Sequence, residues 1–200
     1  GLSAIARNFK VKEYLFTENY EVSTLHQEIN QALGKRVKRT RIVSGLELNP
    51  VEGIEVRFIY PDEPARAAFK PGNDLSAVLR LNWKKVSFLF TGDITAGVEE
   101  YLINQQKTRQ QLKATIMKVP HHGSRSSSTA DFLKTVNPAL AVVSCGRRNI
   151  YGFPATEVVS RYKEQYIQLY RTDLDGAVEF KTDGQKLSWK TARSKTNLGF

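Results

Sequence analysis

Apolar residues follow two periods in the first half of this chain. Leu2, Ile5, Ala6 and Phe9 share one helical face, and so do Leu25, Ile29, Ala32 and Leu33, which Gly34 closes as a C-terminal stop. Period two takes over elsewhere. Val11 to Phe16 reads as a short strand, Val37 to Val43 as a half-exposed one, and Ile54 to Tyr60 as one that ends at Pro61. From Leu75 to Leu81, Leu75, Ala77, Leu79 and Leu81 alternate with Ser76, Val78 and Arg80. A turn at residues 82–85 then leads into the almost wholly apolar Val86 to Phe90. That combination predicts a hairpin whose second strand is buried.

The second half repeats a strand, a polar loop and a helix. A helix is expected around Gly97 to Gln106, a strand over Thr115 to Val119, and a helix over Phe132 to Val136 after the capping-box segment Ser128 to Asp131. A buried strand comes next at Leu140 to Ser144, then a helix near Thr156 to Gln165 and a strand near Ile167 to Tyr170. Ala177 to Lys181 and Gln185 to Lys190 flank Asp183-Gly184 as a closing hairpin. The order predicts a layered α/β domain with mixed sheets over residues 1–190, and a basic, frayed tail over 191–200. Three strands run into polar loops, at Thr91-Gly92-Asp93, Pro120 to Ser124 and Ser144 to Arg148. Sites in layered α/β folds gather at such strand ends.

Composition narrows the classes. Two hundred residues, 40% hydrophobic and 25% charged, suit one globular domain. No run reaches the ~18 apolar residues of a membrane span, and the first ten residues lack a signal-peptide core, so the chain itself is expected to be soluble. One cysteine excludes an internal disulfide and a zinc-cysteine cluster. The net charge of +10 favours an acidic partner such as nucleic acid or anionic lipid. No nucleoside-triphosphatase phosphate loop or dinucleotide fingerprint is present.

The candidate chemistry sits at the strand ends. Gly92 permits a tight turn that exposes Asp93, whose two oxygens suit a bridge between two cations. Spacing alone favours a plainer use, as the N-cap of the next helix. His121 and His122 are two of only three histidines. If the strand continues through them, they point to opposite faces, so one enters a metal site and the other orients it or meets substrate. Gly123, Ser124 and Arg125 lead to a helix start and suit a phosphate. Asn73, Asp74 and Ser76 are turn formers or line the site. His26 reads as a surface residue, and Cys145 as a packed thiol.

Taken together, Asn73-Asp74-Leu75-Ser76, Leu89-Phe90-Thr91-Gly92-Asp93 and Lys118-Val119-Pro120-His121-His122-Gly123-Ser124 resemble the metallo-β-lactamase-fold domain of the ComEC family of DNA-internalisation proteins. Ser144 to Asn149, Tyr151-Gly152-Phe153-Pro154 and Arg171 to Ala177 continue the resemblance in the family's order, over roughly Asn73 to Gly184. The resemblance implies a metallo-β-lactamase-like αββα sandwich with a divalent two-metal site, zinc or manganese, and nuclease activity on DNA during natural competence. It makes Asp93 the bridging carboxylate and gives the His121-His122 pair an imidazole ligand. It would place Asn73 and Ser76 at the flank of the site. It also implies a membrane channel domain in the same parent protein, and a membrane-tethered position outside the cytoplasm.

Two departures qualify the resemblance. The family's His-x-His-x-Asp-His motif is absent, and Gly1 to Ile5 resembles the segment just C-terminal to that motif, so an N-terminally truncated domain is expected. Phe153 and Ala155 stand near positions where the family often has histidine. Asp93 with one or two imidazoles falls short of the about three protein ligands that a hydrolytic metal needs. These 200 residues alone are therefore expected to be a poor enzyme. The rival readings are a non-catalytic DNA-guiding module and a small-molecule metallo-hydrolase on the same fold.

Overall fold

The computed structural model describes residues 2–17, 24–193 and 197–198; the side chains of residues 25, 26, 197 and 198 lie outside that description. The surface reading of His26 therefore falls outside the described side chains. The chain opens with α1 (Leu2–Asn8), β1 (Glu13–Phe16), α2 (Thr24–Leu33) and β2 (Lys38–Arg41). The two helices pack on each other, and the two strands pair in parallel. Gly34 ends α2 at φ 66°, the left-handed stop its position predicts.

The main sheet comes next. Its strands are β3 (Glu47–Val51), β4 (Ile54–Tyr60), β5 (Val78–Trp83), β6 (Val86–Phe90), β7 (Ile116–Lys118), β8 (Leu140–Val143) and β9 (Gln168–Arg171), adjacent in that order. The pairs β3 to β6 are antiparallel, and β6 to β9 are parallel. The change occurs at β6, the strand that leads into Asp93. Residues 73–75 form a short turn rather than strand, so β5 starts three residues later than the alternation from Leu75 predicts. The helices are α3 (Glu63–Ala68), α4 (Ala96–Asn104), α5 (Gln106–Gln111), α6 (Ala130–Val136), α7 (Thr156–Glu164) and the single turn α8 (Thr172–Asp175).

The register explains the layers. Leu89, Met117 and Ala141 are neighbours across β6, β7 and β8, and their face carries the larger core with Val98, Leu102, Phe132, Leu133, Val158 and Tyr162. Phe88, Ile116 and Leu140 are the alternate row. They meet Leu187 and Trp189 of a second sheet, β10 (Val178–Thr182), β11 (Leu187–Thr191) and β12 (Asn197–Leu198). Helices, large sheet and small sheet thus form three layers. The outer row of the small sheet, Glu179, Lys181 and Lys190, is solvent-facing and cross-linked by ion pairs. Thr191 closes β11, and residues 197–198 pair with that strand; residues 194–196 and 199–200 lie outside the described set.

Candidate functional site

Three consecutive parallel strands deliver their C-terminal loops to one end of the sheet. A cleft of about 680 Å³ opens there, lined by Asn73, Asp93, His121, His122, Ser144, Cys145, Asn149, Tyr151 and Phe153 among others. Glycines make the close approach possible. Gly92 has φ +56°, and a Cβ on it would lie 2.7 Å from Ser76 Cβ. Gly123 has φ +80°, and its Cβ would lie 2.5 Å from Pro154 Cβ. Only glycine fits either place.

Asp93 does not cap the following helix. Thr95 holds the N-cap position of α4, without a side-chain cap bond, so the spacing argument for Asp93 fails. Its carboxylate instead faces His122 Nε2 at 3.5 Å and Lys118 Nζ at 3.6 Å. Lys118 also donates to the carbonyls of Gly92 (2.9 Å) and Val119 (3.1 Å), tying the two loops together. Burial lowers the pKa of this ammonium, and Asp93 opposes the shift.

The histidine pair is not on a continuing strand. The strand ends at Lys118, and residues 120–123 form a tight turn with His121 at φ 45° and His122 at φ 53°. Two successive non-glycine residues in the left-handed region store strain of about 1–3 kcal/mol each. Surrounding bonds hold them. His121 N–H donates to Gly92 O (3.3 Å), Ser124 N–H to His121 O (2.9 Å), and Ser127 Oγ to Pro120 O (3.1 Å). Ser128 and Thr129 N–H both end on the buried Glu99 carboxylate, at 2.5 and 2.7 Å. Thr129, rather than Ser128, caps α6.

The two imidazoles have different settings. His122 Nδ1–H donates to the Ser144 carbonyl at 2.6 Å, which leaves the Nε2 lone pair aimed at Asp93. A backbone carbonyl behind one ring nitrogen is the usual support of a metal-ligating histidine. His121 Nε2 accepts from Asn73 Nδ2 at 3.1 Å, its ring edge meets Phe153, and its Nδ1 is buried without a partner. The geometry therefore suits His122 as ligand and His121 as the residue that fixes Asn73.

Donor atoms bonded at about 2.0–2.2 Å to one tetrahedral ion lie about 3.4 Å apart. The 3.5 Å between Asp93 Oδ1 and His122 Nε2 fits two ligands of a single cation. Among the described residues no group of three or more His, Cys, Asp or Glu side chains is placed to hold a metal. The residues thus fit one flank of a metal site. Ser124 and Arg125 line a neighbouring cleft of about 310 Å³ that shares Tyr151 and Phe153 with the first, and Arg125 pairs with Glu157 at 3.2 Å. Ser76 lies beneath Gly92 and does not line the larger cleft. Cys145 does line it; burial and Asp173 raise its pKa to about 11, so it stays a thiol at neutral pH. Sequence reasoning missed Lys118 and the Ser144 carbonyl as parts of the site. The first was legible only as a charge on a buried strand, and the second carries no side-chain signal.

Comparison with known proteins adds family evidence. ComE operon protein 3 of Bacillus subtilis is 24% identical over 177 residues, which are 88% of this chain and 22% of that protein. Competence protein ComA of Neisseria gonorrhoeae is 36% identical over 129 residues, 64% of this chain and 18% of that one. Recombination protein 2 of Haemophilus influenzae is 30% identical over 144 residues, 72% and 17% respectively. The chain thus spans about a fifth of the length of these curated relatives. Zinc-bound PqqB of Methylobacterium extorquens has a TM-score of 0.49 at 9% identity, covering 86% of this chain and 66% of PqqB. A metal-dependent hydrolase of Parabacteroides distasonis also scores 0.49, at 13% identity, over 84% of this chain and 80% of its own. No family model matches. Among the described residues no helix is long and apolar enough to cross a membrane. With its motifs in order, the chain is similar in sequence to about a fifth of the length of competence proteins of the ComEC type, and it carries an α/β domain built on a large mixed sheet.

Proposed function

We propose that this chain supplies one flank of a divalent-metal phosphodiesterase site that acts on DNA during uptake. The supporting observation is the pair formed by Asp93 and His122: an anionic oxygen and an imidazole lone pair 3.5 Å apart at the end of the cleft, the imidazole fixed from behind by Ser144. A zinc or manganese ion held there would supply Lewis acidity toward a phosphoryl oxygen and an acidified water. The chain's own residues do the rest. His122 and Asp93 would hold the ion, and Lys118 keeps the loop carrying Asp93 docked on the His-His turn. Ser124 and Arg125, in the adjoining cleft, offer donors to a neighbouring phosphate. The basic excess would hold a strand by its backbone without reading its bases.

The test is manganese- and zinc-dependent cleavage of single-stranded DNA, by this chain alone and by the chain joined to a segment carrying His-x-His-x-Asp-His. Cleavage by the joined protein that Asp93→Ala abolishes supports the reading. Cleavage that survives Asp93→Ala sinks it.

A second reading, the non-catalytic DNA-guiding module, is favoured by one observation. No third ligand stands near Asp93 among the described residues, and the Lys118 ammonium already sits beside its carboxylate. On that reading neither protein cuts, and Asp93→Ala leaves DNA affinity unchanged.

A further inference from the structure

A third cleft, of about 300 Å³, lies at the opposite end of the sheet, where β7 and β8 begin. Arg80, Ser87, Lys113, Thr115 and Asn137 supply its polar lining. Arg80 stands on β5, paired across the sheet with Leu89 on one side and with Arg57 on the other. Its face is therefore that of the helix-covered core. The Nε of Arg80 is buried and has no hydrogen-bond partner. Arg41 and Arg66, by contrast, each meet Glu63. The Arg80 side chain makes no ion pair or hydrogen bond among the described residues. The carboxylate nearest in register, Glu55 opposite Asn82, does not reach it, and its cross-strand neighbour Arg57 is engaged with Glu47.

A guanidinium stays charged in proteins, so burying part of it, here Nε, without an acceptor is costly. Like charges directly across two strands add to the cost. Burial alone depresses the Arg80 pKa, with no anion to offset it. The same cleft offers more donors. Exposed Lys113 carries a second positive charge. Ser87 and Thr115 bridge each other: Ser87 N–H donates to Thr115 Oγ1 (3.2 Å) and Thr115 N–H to Ser87 Oγ (3.1 Å). Their hydroxyls are 3.4 Å apart, a contact that uses one O–H at most. One O–H is left over from that contact in a pair that lines the cleft.

We infer that this cleft binds a phosphate group, with Arg80 and Lys113 supplying charge and the Ser87–Thr115 pair a hydroxyl donor. Two cations and a neutral donor match a multiply charged tetrahedral oxyanion better than a single carboxylate. The phosphate could belong to a free phosphate compound or to a DNA strand. Only the DNA source rests on the function proposed above, and the site stands apart from the Asp93–His122 flank.

The experiment tracks backbone amide resonances while inorganic phosphate replaces chloride at constant ionic strength. Saturable shifts are expected at residues 113–115 and 137. Arg80→Leu should weaken that binding by about tenfold or more, the worth of one lost charged hydrogen bond. Lys113→Gln, on an exposed side chain, should weaken it several-fold and keeps the test decisive if Arg80→Leu folds poorly. A parallel titration with a single-stranded oligonucleotide identifies the source. Shifts at the same amides with both ligands mean a strand phosphate, and with phosphate alone a small phosphate compound. No saturable shift at these amides, or an unchanged affinity in both variants, overturns the inference.

Discussion

At the scale of single residues, two carboxylates near the His-His turn do opposite things. Asp93 is partly open and faces a ring nitrogen and an ammonium. Glu99 is fully buried and organises backbone by taking two successive N–H groups at the start of α6. Burial raises the Glu99 pKa above its ordinary 4.5, against the pull of the Thr129 and Ser128 donors and Arg161. A carboxyl raised on folding contributes most below its ordinary value and loses that contribution as pH climbs through the raised one. Glu99→Gln leaves one of the two N–H groups without an acceptor and should cost about 1–3 kcal/mol. The stability gap between wild type and Glu99→Gln should therefore narrow as pH rises from about 4 toward neutrality. Urea unfolding over that range checks it, and a gap independent of pH contradicts it.

Among the elements, the tight turn after β7 matters most, because it sets where both imidazoles go. It is clamped against the 153–155 segment by Ala155 N–H to Gly123 O at 2.9 Å and by the absence of a Cβ at Gly123. Gly123→Ala collides with Pro154 in a left-handed conformation, and should destabilise the fold by about 1–3 kcal/mol. Chemical denaturation measures that, and a loss below a few tenths would mean the turn is free to shift. Here the sequence was partly opaque. Ile54–Tyr60 was legible to the residue because Glu55 and Arg57 alternate with apolar neighbours and Pro61 ends the run, although both faces are buried from Phe58 to Tyr60. β3 was not, since Glu47–Val51 is largely exposed and contains Pro50. The short helix α3 hid behind Pro64, which sits near its start, capped by Asp62 accepting from Ala65 N–H. The loop after β7 was legible, but the conditional picture of two imidazoles on opposite faces of a continued strand does not hold. Nothing in two histidines announces positive φ, and tertiary bonds rather than propensity impose it. Motif order brought Asp93, His121, His122 and Asn73 together as cleft-lining residues, whereas Ser76, from the same motif as Asn73, lies under the loop instead.

For the whole molecule, charge and layering separate two roles. The sheet-on-sheet contact through Ile116, Leu140, Leu187 and Trp189 holds the small sheet in place, and the helix-side core holds the strand ends that build the cleft. The net charge of +10 acts at longer range. Single-stranded DNA affinity should fall linearly on logarithmic axes as salt rises, with a slope of about −0.7 per phosphate neutralised. Asp93→Ala should leave that slope unchanged, because an anionic residue releases no counterion from DNA. Fluorescence anisotropy across a salt series provides the check, and affinity insensitive to salt would remove the case for a backbone-tracking surface.

On the proposed reading, Asp93 and His122 together present two ligands to one divalent cation. The most direct test of that reading is imidazole nitrogen NMR of the chain during a zinc titration. The His122 Nε2 signal should move while its Nδ1 keeps the proton donated to Ser144, and Asp93→Ala should weaken the response by about tenfold or more, the effect of losing an anionic ligand. A response centred on His121, or one unchanged by Asp93→Ala, would rule out the Asp93–His122 pair as the ligands.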